Sequence, residues 1–424
     1  METLTERRQR LFGPNVPTFY RTPLNIVRGE GVWLTDKGGR TYLDAYNNVP
    51  HVGHAHPRVV QAVARQAATL DTHSRYTHDE ILDYAECLLE TFAPPMAQVL
   101  FTCTGSEAMD VALRMARAVT GRDGLIATDN TYHGNTAAVS ALSTRRPPLG
   151  GYPEHIRLVP APSALAPLGG STAAQPATFA ADVSRAIAEL ESAGHGLAAL
   201  VLCPVFANEG LPGVAPGWLE DTAARVRAAG GLLIADEVQP GLGRLGTHVW
   251  GHAFVETQPD IAVLGKSLGN GYPLAGLVTR VSHMAAFRER FGYFNTFAAT
   301  PVAAAAGLAV IDILLDEGLI ENAATTGAML GRELRALSHP AIARVTCHGL
   351  MAGVELVDAA GRPATALAEE IMERMKDDGV LIGRIGREMH ILKIRPPLPF
   401  GPAHVEHLVE TLDRALAETL ALAE

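Results

Sequence analysis

Between residues 98 and 279 the chain repeats one pattern, a short apolar run followed by a longer stretch with helical spacing. The runs are 98–102 (QVLFT), 124–128 (GLIAT), 198–203 (AALVLC), 231–235 (GLLIA), 261–264 (IAVL) and 275–279 (AGLVT), with amphipathic segments such as 106–119 and 217–229 between them. Strands that alternate with helices build βαβ units, and their crossovers impose a mostly parallel sheet covered on both faces. The α/β class follows, with a large domain over 45–300. The flanking segments, 1–44 and 301–424, are expected to pack together as a smaller α/β domain. They hold the strand patterns GVWLTD and GGRTYLD, a helix over 303–335, strand patterns at 350–357 and 389–395, and a terminal helix from about 402. Residues 160–178, low in charge and rich in Pro, Ala, Gly and Ser, read as an exposed loop.

Charge excludes some functions. With 35 Lys and Arg against 45 Asp and Glu, the net charge of −10 lacks the basic footprint of a nucleic-acid binder. The most apolar stretch, 300–315, is interrupted by Asp312 and reads as a buried helix, so no membrane association is expected. The start, METLTERRQR, lacks the apolar run of a signal peptide. Cys87, Cys103, Cys203 and Cys347 form no CxxC pair, which disfavours zinc and disulfides and makes a reducing cytoplasm the expected location. His51, His54 and His56 invite a metal reading. No carboxylate stands nearby at helical ligand spacing and Pro57 opens a helix, so a tight turn is preferred and no metal is expected.

Four segments carry chemistry. GLGRLG at 241–246 fits a dinucleotide fingerprint in spelling, but DEVQP separates it from its strand. TCTGSEA at 102–108 ends a strand, turns at Gly105 and opens a helix at Ser106, where backbone N–H groups make an anion cradle. ADEVQ at 235–239 closes another strand with Asp236 and Glu237, and carboxyl ends of strands in an open α/β sheet face the ligand crevice. A metal-binding acid pair or a helix cap is the alternative there. In LGKSLGNGYPLAG at 264–276, Lys266 directly follows a strand and stands among small residues, a setting that depresses an amine's pKa and suits Schiff-base chemistry. An anion cradle, a buried aspartate and a strand-end lysine, in that order, suit pyridoxal 5'-phosphate (PLP). The aldehyde needs the lysine, the pyridine nitrogen needs an anion, and the phosphate needs a helix start.

These residues resemble the class III aminotransferases, PLP enzymes of fold-type I. The matching segments are TCTGSEAMDVALRMAR, DNTYHG, ADEVQPGLGRLG, GKSLGNGYPLAG and FNTFAATP, in family order over nearly the whole chain. The resemblance implies a seven-stranded, mostly parallel sheet between helices. It implies Lys266 as the Schiff-base lysine, Asp236 as partner of the pyridine nitrogen and Gln239 as a contact to the phenolic oxygen. It places Tyr132 on the ring with His133 and Gly134 beside it, Val238 on the opposite face, and Gly105 and Ser106 at the phosphate. Thr296 matches a threonine that reaches the phosphate from a second subunit, which implies a homodimer with shared sites.

Departures narrow the activity. Asn135 stands where many members carry an arginine after the HG pair, Lys393 replaces an arginine in LKIRPP, and Cys203 and Phe206 replace the glutamate and glutamine of a segment in which Glu209 is one place off. NNVPHVGHAHPRVV, THSRYTHDEILDYAECLLET, YFNTF and HILKIRPPLPF look like the ethanolamine-phosphate phospho-lyase branch. That resemblance implies elimination of phosphate and ammonia from O-phosphoethanolamine or a similar phosphorylated amine, with transfer of an amine to a keto acid or aldehyde as the alternative. A second phosphate needs cations. The candidates are Lys393, Arg75, Arg395 and His51, with Lys393 and Arg395 on one face of an extended segment.

Overall fold

A computed structural model describes residues 2–421. Three strands open the chain: β1 (Ile26–Glu30), β2 (Trp33–Asp36) and β3 (Thr41–Asp44). Seven more form the central sheet: β4 (Gln98–Thr102), β5 (Gly124–Thr128), β6 (Ile156–Val159), β7 (Leu197–Leu202), β8 (Leu232–Asp236), β9 (Ile261–Leu264) and β10 (Ala275–Thr279). Their order is β4-β10-β9-β8-β7-β5-β6, and all are parallel except β10, which runs against both of its neighbours. This is the seven-stranded, mostly parallel sheet implied by the resemblance.

The two faces of the sheet follow from strand alternation. On β7, Ala199 and Val201 join one apolar cluster while Leu200 and Leu202 join another. On β8, Ile234 goes to the first and Leu233 to the second. The first cluster is closed by helix Gly105–Thr120, which buries Met109, Leu113 and Met115 and lies across β7 to β10. The second is closed by helices Gln175–Ser192 and Glu220–Ala228. Both faces being covered, the carboxyl edge is left as the open edge, where the loops after β4, β5, β8 and β9 converge.

Five strands complete the fold: β11 (Ile342–His348), β12 (Met351–Leu356), β13 (Val380–Leu381), β14 (Gly383–Ile385) and β15 (Ile391–Ile394). β3 pairs in parallel with β13, so the two ends of the chain share a sheet. β11, β12, β15 and β14 form another. No described helix is long and apolar enough to cross a membrane.

Three expectations are corrected. The single helix over 303–335 is two, Pro301–Asp316 and Leu319–Ala336, broken at Gly318, whose φ of 60° is left-handed. The loop over 160–178 is shorter: helix begins at Gln175, whose buried side chain accepts hydrogen bonds from the Ser163 and Leu168 amides. Strand β6 escaped notice because its short IRLV run includes Arg157. The glycines of 241–246 allow close packing. A Cβ on Gly246 would lie 2.5 Å from the backbone of Ala324, so this loop seats helix Leu319–Ala336 and cradles no dinucleotide.

Candidate active site

Where β4 ends, Thr104 caps helix Gly105–Thr120 by accepting the Glu107 amide at 3.2 Å, and Glu107 Oε2 accepts the amides of Cys103 (3.0 Å) and Thr104 (2.9 Å). This capping box engages the neighbouring donors but leaves the amides of Gly105 and Ser106 without a partner among the described residues. Two open N–H groups at the positive end of a helix dipole form an anion site. The loop after β5 closes over it. The Asn135 amide donates to Ser106 Oγ at 3.1 Å, and Gly134 lies so near that a Cβ there would meet Ser106 Oγ at 2.7 Å.

Asp236 ends β8 and is buried. Its Oδ2 faces His133 Nδ1 at 2.6 Å, and its Oδ1 accepts the Val238 amide at 3.1 Å. A carboxylate that accepts from Nδ1 fixes the proton on that nitrogen, so His133 Nε2 accepts from the Thr131 hydroxyl at 3.2 Å. Glu237 points away. Its carboxylate accepts from the Gly251 and His252 amides, both at 2.7 Å, and from His252 Nδ1 at 2.8 Å. It caps helix Gly251–Phe254, and the acid pair is no metal site.

Lys266 follows β9 after one glycine, with a positive φ of 42°. Its ammonium has no hydrogen-bond partner among the described residues. Burial, and then the charge of Arg395, lower its pKa to about 8 against the opposing charge of Asp236. Gly105, Ser106, Tyr132, His133, Gly134, Asp236, Val238, Gln239 and Lys266 line one cavity of about 90 Å³. A larger groove of about 460 Å³, among Arg58, Arg65, Glu80 and Asp312, brings no nucleophile or convergent donors together.

The four substrate cations fall elsewhere. His51 is corrected outright: it is fully buried, with Nε2 on the Leu242 carbonyl at 2.6 Å and Nδ1 accepting from Arg244 at 3.2 Å. Burial and the Arg244 charge push its pKa down to about 3, so it offers no cation. Lys393 on β15 and Arg395, one residue past its end, both reach Gln239, and both are buried. Lys393 Nζ donates to Gln239 Oε1 and to the Ala207 carbonyl, each at 2.8 Å. Arg395 donates to the same Gln239 oxygen and, at 3.3 Å, to the Tyr46 carbonyl. Burial, and then the Arg395 charge, hold Lys393 well below the ordinary lysine pKa. Arg75 is exposed, its guanidinium 3.9 Å from the centre of the Phe294 ring, with no ion pair among the described residues. Thr296 is exposed nearby and outside the cavity.

Sequence reasoning missed Thr131, Asn208 and Arg145. Asn208 links the loops after β5, β7 and β8, and Arg145 Nη2 donates to its carbonyl at 2.6 Å. A short polar residue in a loop carries no periodic signal, so nothing local marked it.

These groups fit a pyridine aldehyde phosphate. Gly105 and Ser106 could hold a phosphate, Asp236 a protonated ring nitrogen and Lys266 an aldehyde. The missing Cβ of Gly134 keeps the cradle open. Fold and site together define a PLP enzyme of fold-type I. Residues 17–416 match the family described as aminotransferase class III, to which the chain belongs. It is therefore a PLP-dependent enzyme. A phospholyase from Arthrobacter, solved in complex with phosphoethanolamine, is 40% identical, with 98% of this chain and 99% of that one covered and a TM-score of 0.94. Ethanolamine-phosphate phospho-lyase homolog 1 of Caenorhabditis elegans is 33% identical over 98% of this chain and 93% of its own length. Alanine–glyoxylate aminotransferase 2 homolog 2, mitochondrial, of Arabidopsis thaliana is 36% identical over 98% and 88%.

Proposed function

We propose that this enzyme is a phospho-lyase that converts O-phosphoethanolamine, or a similar phosphorylated primary amine, and water to an aldehyde, ammonia and phosphate. The observation that carries this reading is the fate of the cations at the end of β15. Lys393, which stands in place of the arginine that the family resemblance implies for a substrate's carboxylate, and Arg395 beside it are engaged by Gln239, Ala207 and Tyr46. The site thus favours an amine that carries no carboxylate beside its nitrogen. The likeness to the Arthrobacter phospholyase supports it.

When bound, PLP supplies an electron sink for the pair left as a C–H bond next to nitrogen breaks. The chain does the rest. The Gly105 and Ser106 amides would hold the cofactor's phosphate and Asp236 would keep the ring nitrogen protonated, with His133 fixing Asp236 by its Nδ1–H. Tyr132 and Val238, which line the same cavity, would flank the ring. Lys266 Nζ, its pKa lowered toward neutrality, takes the proton from the carbon bearing nitrogen. Phosphate leaves from the adjacent carbon, and water releases the aldehyde and ammonia. Arg75, uncommitted by any ion pair among the described residues, is our candidate for the departing phosphate. It and Thr296 lie outside their own chain's cavity, so the proposal includes a homodimer in which each copy completes the other's site.

Phosphoethanolamine supplied without a keto acid tests the proposal. Release of phosphate and acetaldehyde over many turnovers supports it. Stalling after one turnover, with activity restored by a keto acid, would make the enzyme an aminotransferase.

A further inference from the structure

Three amides in the site form a directed chain. Gln239 Oε1 accepts from both Lys393 Nζ and Arg395 Nη1. A guanidinium has no acceptor, so the Gln239 amide cannot be reversed without setting its NH₂ group against donors. Its Nε2 is thereby turned outward and donates to Asn208 Oδ1 at 2.9 Å. That bond fixes Asn208 in turn, whose Nδ2 then faces and donates to the Tyr132 carbonyl at 3.1 Å. Asn208 is clamped at its other polar atoms too: its amide donates to Glu209 Oε2 at 3.1 Å and its carbonyl accepts from Arg145 at 2.6 Å. Gln239 has two hydrogens on Nε2. One goes to Asn208, and the other has no partner among the described residues while Gln239 lines the Lys266 cavity.

We propose that Lys393, Arg395 and Asn208 are positioning residues that set the polarity of this amide chain, so that Gln239 offers an N–H, and never its carbonyl, to the oxygen anion on the cofactor ring. Lys393 acts from β15 of the C-terminal segment, by way of the Gln239 oxygen. Asn208 acts from the loop after β7 and passes the same order on to the Tyr132 backbone. The inference rests on the family's cofactor and is independent of whether phosphate is eliminated or an amine transferred.

A hydrogen bond from a donor stabilises the ring oxygen's anionic form, and its loss raises the pH midpoint of the bound cofactor's visible band. The test uses the full-length protein with PLP and reads that midpoint, alongside PLP affinity for the apoprotein and the melting temperature. Gln239→Glu, which exchanges the N–H for an acceptor, should raise the midpoint by about one unit, the scale of one charge-assisted hydrogen bond. Lys393→Met and Asn208→Leu should move it the same way by roughly half a unit, with PLP affinity down about threefold to tenfold and melting unchanged. Lys393→Arg, which restores a donor, should return it close to wild type. An unmoved midpoint in Gln239→Glu, or in both Lys393→Met and Asn208→Leu, overturns the proposal. So do shifts that occur only with a drop in melting temperature and without rescue by Lys393→Arg. Phosphate release enters none of these readouts, so a failure here is separable from a failure of the phospho-lyase reading.

Discussion

Gly134→Ala isolates the contribution of the anion cradle. A Cβ at this position would lie 2.7 Å from Ser106 Oγ, 2.8 Å from Ser106 Cα and 2.9 Å from Ser106 Cβ. Carbon atoms pack best at about 3.5–4.0 Å, so relief requires a displacement of roughly 0.6 Å or more. A rotamer change at Ser106 would clear only the clash with Oγ. The overlap with the Ser106 backbone must be relieved by moving the helix start itself, together with the Gly105 and Ser106 amides. The φ of 148° at Gly134 adds strain of about 1–3 kcal/mol for an L residue. Weakening one of two charge-assisted hydrogen bonds to the phosphate costs about 1.5–3 kcal/mol, so the dissociation constant of PLP should rise by about tenfold to a hundredfold. Titration of the apoprotein with PLP, followed by visible absorbance, measures this. Far-UV circular dichroism and melting should show the fold intact. A dissociation constant within about twofold of wild type would refute the assignment of Gly105 and Ser106 as the phosphate cradle.

Three further outcomes are expected. Lys266→Ala should lower turnover by more than about a thousandfold while the apoprotein still binds PLP, because the lysine is the proton acceptor and the phosphate cradle is untouched; a variant retaining a hundredth of normal turnover would show that another group moves the proton. Asp236→Asn removes the anion that stabilises a protonated pyridine nitrogen and should slow proton abstraction by about a hundredfold or more, read as the isotope-sensitive rate with a deuterated amine. Lys266 loses its proton near pH 8 in the apoprotein, so the rate of PLP capture should rise about tenfold per pH unit below 8 and level off above it; a flat profile from pH 6 to 9 would contradict the lowered pKa.

The inner strands of the sheet, β5 and β7 to β10, were legible because they are buried on both faces. A strand such as β7, LAALVL, can only read as a continuous apolar run, and such runs have few alternatives in a chain of this kind. Less legible were elements whose signal is mixed or interrupted. Gly318 sits between two helices of uninterrupted helical spacing, and only its left-handed φ shows that the chain stops and restarts there. Helix propensity does not record a break that tertiary packing imposes. The cavity was legible for a different reason. Each of its residues lies within a few positions of a strand's carboxyl end, so sequence order alone placed Gly105, Asp236 and Lys266 on one edge. Asn208 and Thr131 act through hydrogen bonds between loops far apart in sequence, and no spacing encodes such pairs.

The cations expose the deeper limit. Lys393 and Arg395 do meet at one group, the Gln239 oxygen, but whether a buried cation is available to a ligand depends on what else competes for its hydrogens. Here the competitors are neutral. Lys393 is held by the Ala207 carbonyl and an amide, Arg395 by the Tyr46 carbonyl and the same amide. Arg244, fully buried, is held by the Leu350 (3.1 Å) and Pro396 (2.7 Å) carbonyls and by His51. Carbonyl dipoles satisfy the geometry of a cation without cancelling its charge, so the field of these groups persists into the cavity. Its effect is visible at Lys266, where Arg395 is the largest charge acting to lower the pKa, and at Arg244, pushed down to about 9 by burial and by Arg395. The same field favours anions at the carboxyl edge, where the cofactor's phosphate and the proposed substrate's phosphate must both reside. Arg395 therefore favours an anion there from a distance, without the direct ligand contact that the sequence pattern predicts.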